Sequence, residues 1–144
     1  MDPSRSVEEI HRVLKDAGLV YAETPFMQQV HGGRYDFMRF THLGHQRLFR
    51  RFTEIKSGVV CGPGMALAWA WNYFALSTVT SRTGRAFAHF VTRLTASWLT
   101  SFDAALVRKP GAYDAAAGYY LLGRRSDEVL SDRKLITLYR GGHQ

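Results

Sequence analysis

The segment from Met65 to Arg108 constrains the fold of this chain more than any other. Residues 65–82 are dense in large apolar side chains: Met65, Leu67, Trp69, Trp71, Tyr73, Phe74, Leu76 and Val79. The run is too short for a comfortable membrane span and is interrupted by Asn72, so a buried helix is expected. Thr83-Gly84 reads as a turn. Over residues 85–108, Phe87, Phe90, Val91, Leu94, Trp98, Leu99, Phe102 and Leu106 share one helical face, with Arg85, His89, Arg93 and Asp103 elsewhere. Two such helices in succession predict a hairpin that buries its own aromatic seam. The breaks at Gly62-Pro63-Gly64 and Pro110-Gly111 set it apart as an insertion over 61–114. A lid, a membrane-surface contact and a dimer face are the roles open to it.

The flanks alternate between helix and strand signals. Ser6 and Glu9 form the spacing of a capping box, and Val7, Ile10, Val13 and Leu14 recur at helical period. Gly18 is read as the left-handed stop. Leu19 to Ala22 is a short apolar strand, and Gln28–Thr41 a long functional loop around Gly32-Gly33. Thr41 caps a second helix, Thr53–Val60 is a strand, Gly118–Gly123 another, and Ser131 caps a last helix. The order predicts a single α/β domain over 1–144, in three layers, with 6–60 and 115–142 forming the core around the inserted hairpin.

Composition narrows the setting. Apolar residues make up 46% of the chain, enough for a real core. With Cys61 as the only cysteine there is no internal disulfide, and the polar start Met1-Asp2-Pro3-Ser4-Arg5 does not resemble a signal peptide. A reducing, cytoplasmic location is expected. The net charge of +7 suits nucleic acid, an anionic membrane surface or an anionic substrate, and equally an Arg-rich composition with no specific partner. Basic and aromatic residues interleave from Arg34 to Phe52. Phe49 and Phe52, however, fall on the apolar face of a helix, so nucleic-acid binding is not expected. His42 and His45 lie three apart but lack the further ligands a metal needs, and no metal is expected. Cys61 sits in an apolar run and reads as a core thiol.

Two blocks carry a family resemblance. The first is Glu8 to Pro25, with Arg12-Val13-Leu14-Lys15 ahead of the turn Asp16-Ala17-Gly18. The second is Phe26 to Gly33 followed by Tyr35-Asp36-Phe37-Met38-Arg39-Phe40-Thr41. They resemble class I S-adenosylmethionine-dependent methyltransferases of the type-11 group, in the helix that feeds the fifth strand and the loop after it. Gly118 to Arg125 is similar to the final, antiparallel strand of that fold. The resemblance implies a partial Rossmann-like sheet, the C-terminal half of the family's core. It implies a transferase that moves a methyl group to a small-molecule acceptor by in-line displacement.

The same resemblance assigns the loop to the acceptor pocket. His31 and His42 are then candidate bases, and Gln28, Tyr35, Asp36 and Arg39 candidate acceptor-binding residues. The plainer reading is that Tyr35, Phe37 and Phe40 pack the loop and that Asp36 and Arg39 form a local ion pair. The family's glycine-rich cofactor turn has no counterpart here, and Gly62-Pro63-Gly64 is no substitute. S-adenosylmethionine is thus implied by the family while its binding residues are unassigned. A non-catalytic truncated module, or a subunit pairing with another chain, is the alternative. The strand near Tyr21, without the fourth strand beside it, would have an open edge that invites self-association or a partner.

Overall fold

The computed structural model describes residues 2–142. Met1, with which the polar start opens, lies outside the described residues. One sheet holds three strands, β1 (Leu19–Pro25), β2 (Phe52–Val59) and β3 (Gly118–Arg125). β3 lies between the other two and is antiparallel to both, with Ala22 opposite Leu121 on one side and Val59 opposite Tyr119 on the other. β1 and β2 therefore run in the same direction, and each has an open edge among the described residues. The architecture is mixed α/β with a small, open, antiparallel sheet.

The first helix, α1 (Pro3–Val13), begins earlier than the capping-box spacing predicts. Asp2 is the cap: its carboxylate accepts from the Ser4 N–H at 3.0 Å and from Arg5, and Pro3 fills the first turn, where a missing N–H costs nothing. Ser6 is already inside that turn, its N–H donating to the Asp2 carbonyl. At the other end it is Ala17, not Gly18, that takes the left-handed conformation, with φ of 59°. Gly18 is required for a different reason. A Cβ there would stand 2.8 Å from the Lys15 carbonyl oxygen, which accepts the Gly18 N–H.

α1 and α2 (His42–Leu48) cover one face of the sheet and close the core of Val7, Val20, Phe49, Phe52 and Leu121. Full burial of Phe52 or Leu121 contributes about 1.5–3 kcal/mol each. Among the described residues nothing covers the opposite face, where Leu19, Tyr21 and Ile55 are exposed. The core thus has two layers, not the three expected, because the chain after β2 leaves the sheet at its end instead of crossing its second face. β2 carries a bulge: Glu54 pairs with Gly123 and Lys56 with Leu122, leaving Ile55 over. The extra residue resets the alternation, so Glu54 and Ser57 fall on one face.

The insertion is helical, as expected, but is built inside out relative to the expected seam. α4 (Arg82–Ala96) packs on α3 (Pro63–Ser77) through small residues, burying Ala88, Thr92 and Ala96, while α3 buries Gly64, Ala66 and Leu76. Thr92 Oγ1 donates to Asn72 Oδ1 at 2.8 Å and Trp71 Nε1 to Thr95 Oγ1 at 2.9 Å. Phe87, Phe90, Leu94 and Trp98, the stripe predicted to be core, are exposed. On a helix the 87/90/94/98 stripe stands more than a quarter-turn from the 88/92/96 stripe, so only one of them faces α3. The small residues win because they let the backbones approach closely and leave the polar bonds in the seam satisfied.

A 3₁₀ segment (Ser97–Phe102), α5 (Asp103–Leu106) and α6 (Gly111–Ala115) return the chain to β3. Asp103 caps α3 from this return path, accepting from the Gly64 N–H at 2.8 Å and the Met65 N–H at 3.0 Å. Gly64 allows the approach, since a Cβ there would overlap the Leu99 carbonyl oxygen. The insertion closes where the Ala117 N–H donates to the Cys61 carbonyl at 2.7 Å. Ser131 caps α7 (Asp132–Ile136), as its sequence signal predicts. Among the described residues no helix is long and apolar enough to cross a membrane.

Candidate functional site

Because β1 and β2 run the same way, their carboxyl ends meet at one end of the sheet, with the start of β3 between them. A crevice of about 140 Å³ opens there, lined by Glu23, Thr24, Gln28, Cys61, Met65 and Trp69 among others. It is held by backbone bonds: Phe26 N–H to Ala117 carbonyl at 2.7 Å, and Val60 N–H to Gly118 carbonyl at 3.0 Å. The volume is below the 300–1,000 Å³ of a drug-sized pocket, so what it accepts is a small group. Burial, and then the charges of Asp103 and Glu23, push the Cys61 thiol up, which favours its protonated form.

Gln28 is the candidate residue that lines this crevice. From there the loop runs outward and is stapled to itself. Arg39 donates from Nε to the Gln28 carbonyl at 2.9 Å, from one terminal nitrogen to Met38, and in a fork to both oxygens of Asp36. Asp36 also accepts the His31 N–H at 2.8 Å. The Arg39 guanidinium first, and then that N–H, hold the Asp36 carboxyl well below the usual carboxylate range. The Asp36–Arg39 pair is therefore the loop's internal brace. It leaves Arg39 little free donor capacity for an anionic acceptor. Tyr35 stands exposed with the Arg34 guanidinium over its ring at 5.0 Å.

His31 and His42 are placed very differently. His31 is exposed and lies nearly parallel to Trp69, ring centroids 6.1 Å apart, on the wall of the crevice. Tyr73 fixes this contact by donating to the Val30 carbonyl at 2.8 Å. His42 is buried beneath α2 between Tyr113 and Tyr119, with centroids at 4.9 and 5.5 Å. Neither of its ring nitrogens has a hydrogen-bond partner among the described residues. Burial, then the Arg140 charge, pushes it down to about 4. His45 is buried beside it and is likewise pushed down to about 4, by burial and then by His42. His45 shares a hydrogen bond of 2.8 Å with Thr24 Oγ1, which ties α2 to the crevice end of β1.

The polar network behind His42 was not foreseen from sequence. Gln46 Nε2 donates to Glu54 Oε2 at 3.0 Å, and Arg140 donates to Glu54 Oε1 at 2.7 Å and to Ser57 Oγ at 3.1 Å. The bulge at Ile55 puts Glu54 and Ser57 within reach of the same guanidinium. Burial alone would raise the Glu54 carboxyl, but the Ser57 hydroxyl and the Arg140 guanidinium outweigh it and hold it below its ordinary value. Tyr139 donates to Asp114 at 2.5 Å, drawing the C-terminal segment over α6. The only sequence signal for this cluster is the clustering of polar residues on the inner face of α2, visible once that face is known.

The described residues do not fit S-adenosylmethionine. The glycines that come nearest to a cofactor turn, Gly62 and Gly64, precede α3, and the amides of Gly64 and Met65 are held by Asp103. The helix N-terminus that a cofactor would need is already capped. Among the described residues no group of three His, Cys, Asp or Glu side chains is placed to hold a metal ion. No family model, no curated protein and no solved structure matches this chain.

Proposed function

We propose that this chain is the acceptor-side part of a class I methyltransferase-type fold, whose reaction is methyl transfer to a small-molecule acceptor. The observation that carries the reading is the sheet. Its last strand, Gly118–Arg125, is antiparallel to the strand at Leu19–Pro25, the relation the resemblance implies. The crevice at the carboxyl end of that strand adjoins the loop the resemblance assigns to the acceptor. In this reading Gln28 orients the acceptor and His31, the exposed one of the two histidines, takes its proton. His42, Asp36 and Arg39 position the loop and the helix behind it, and Tyr35 stands exposed on the loop. Cytoplasmic placement belongs to the same proposal.

The described residues supply no site for S-adenosylmethionine. One structural observation favours the second reading, a non-catalytic module completed by another chain: β1 has an unpaired edge, and the sheet face beside it exposes Leu19 and Tyr21. Calorimetric titration with S-adenosylmethionine separates the two. Micromolar binding by the purified chain supports methyl transfer by this chain itself, and silence supports the pairing module. Light scattering on a size-exclusion column tests the edge. A concentration-dependent dimer, or a stoichiometric complex with a second chain, is expected, and a stable monomer at high concentration refutes pairing there.

A further inference from the structure

The hairpin turns its large apolar side chains outward. Phe87, Phe90 and Leu94 of α4 are 68%, 64% and 71% exposed, and Leu67 and Phe74 of α3 are 56% and 62% exposed. Trp71 and Trp98 continue the two stripes and are exposed as well. Trp71 reaches over the seam to Thr95, which lies next to the Leu94–Trp98 stripe on α4, so both stripes flank the same side of the hairpin. With aromatic side chains carrying 150–250 Å² each, the seven residues leave on the order of 800 Å² of apolar surface in water. Monomeric soluble proteins rarely leave a single patch that large.

Charge decides what covers it. From Ile55 to Phe102 the sequence contains no Asp or Glu, while Lys56, Arg82, Arg85 and Arg93 are all cationic. Arg82, Arg85 and Arg93 are exposed on α4. Among the described residues every ion pair lies outside α4. A second copy docked on this face would bring two acid-free, cationic hairpins together with no counter-charge. A helix with Phe, Leu and Trp on one face and arginines on another, free of acids, has the make-up of one that lies in a bilayer interface. At 1.5 Å per residue, the 15-residue α3 spans about 22 Å, short of the roughly 30 Å hydrocarbon thickness, so it lies along the surface and does not cross it.

We infer that the α3–α4 hairpin is a docking surface for an anionic lipid bilayer, with the Leu67/Trp71/Phe74 and Phe87/Phe90/Leu94/Trp98 stripes in the acyl boundary and the α4 arginines at the headgroups. The inference is independent of any methyl-transfer activity.

Flotation of the full chain with vesicles tests it, using phosphatidylcholine alone and a three-to-one mixture with phosphatidylglycerol. Recovery with the anionic vesicles is expected to exceed that with neutral ones at least tenfold and to fall as salt is raised. Phe90→Glu/Leu94→Glu is expected to abolish binding to both kinds. Arg82→Gln/Arg85→Gln/Arg93→Gln is expected to remove only the preference for the anionic ones. Circular dichroism reports whether either variant still folds. Quenching of the wild-type tryptophans by bromine-labelled lipid needs no variant, and is expected only if the stripes enter the acyl region. Absence of quenching and of flotation overturns the inference. So does a wild-type dimer that Phe90→Glu/Leu94→Glu converts to monomer without any vesicle binding, since the face is then an interface between copies.

Discussion

Acidification is expected to weaken this fold well above the range in which its carboxylates titrate, and His42 is the residue that exposes the cause. Both His42 and His45 are held neutral in the interior, pushed from 6.5 down to about 4. In the unfolded chain each binds a proton near pH 6.5, whereas in the folded protein each does so only near pH 4. Between those values the unfolded state holds more protons, so stability is complete above pH 6.5 and is lost as the pH falls toward 4. At pH 5 the loss works out to about 2 kcal/mol per histidine, or about 4 kcal/mol for both. That is a large share of the 5–15 kcal/mol by which domains are stable. Replacing His42 by an apolar ring, His42→Phe, removes one of the two titrations and keeps the ring contact with Tyr113 and Tyr119. Urea unfolding followed by tryptophan fluorescence at pH 7 and pH 5 gives the comparison. The wild type is expected to lose about 4 kcal/mol over this interval and the variant about half of that. Equal losses in the two proteins would show that His42 is not buried as a neutral ring, and the reasoning fails.

Asp103→Ala removes both carboxylate bonds to the first turn of α3 and is expected to lower stability by about 1–2 kcal/mol, read as a lower urea midpoint with an unchanged slope. Arg39→Ala leaves the Asp36 carboxylate with only the His31 and Gly32 N–H groups, so proteolytic cleavage between residues 28 and 40 is expected to quicken several-fold while the urea midpoint moves little.

The sequence was most legible where a local signal has no competitor. Thr41 and Ser131 each cap the helix that follows them, and the strands at Leu19, Phe52 and Gly118 begin within a residue of the apolar runs that signal them, though β1 and β3 run two or three residues further. It was less legible where two signals compete over a few residues. Asp2-Pro3 and Ser6-Glu9 both spell a helix start, and the earlier one prevails because Pro3 is preset for the first turn. Ala17 and Gly18 share one turn, and the close approach to Lys15 claims the glycine, leaving the left-handed position to Ala17. The hairpin misled for a deeper reason. Periodicity identifies an apolar stripe but not what it faces, and a seam of Ala88, Thr92 and Ala96 carries almost no hydrophobic signal. The candidate site divided along the same line. Gln28 lines the crevice and His31 stacks on its wall residue Trp69 because they follow β1 directly, whereas the burial of His42 depends on Tyr113 and Tyr119, far away in sequence.

The bond between the Ala117 N–H and the Cys61 carbonyl has a consequence for how this chain can vary. With the two ends of the insertion touching, β2 and β3 make an ordinary β-hairpin whose turn happens to be a helical domainlet. Closure entropy grows only with the logarithm of loop length, so exchanging the insertion for a short turn changes it by about 2 kcal/mol. The sheet is thus a host and the helices a graft, entered and left at adjacent residues and touching the host again through Trp69, Tyr73 and Tyr113. A change in the length of α3 and α4 leaves the register of Val59 opposite Tyr119 as it is.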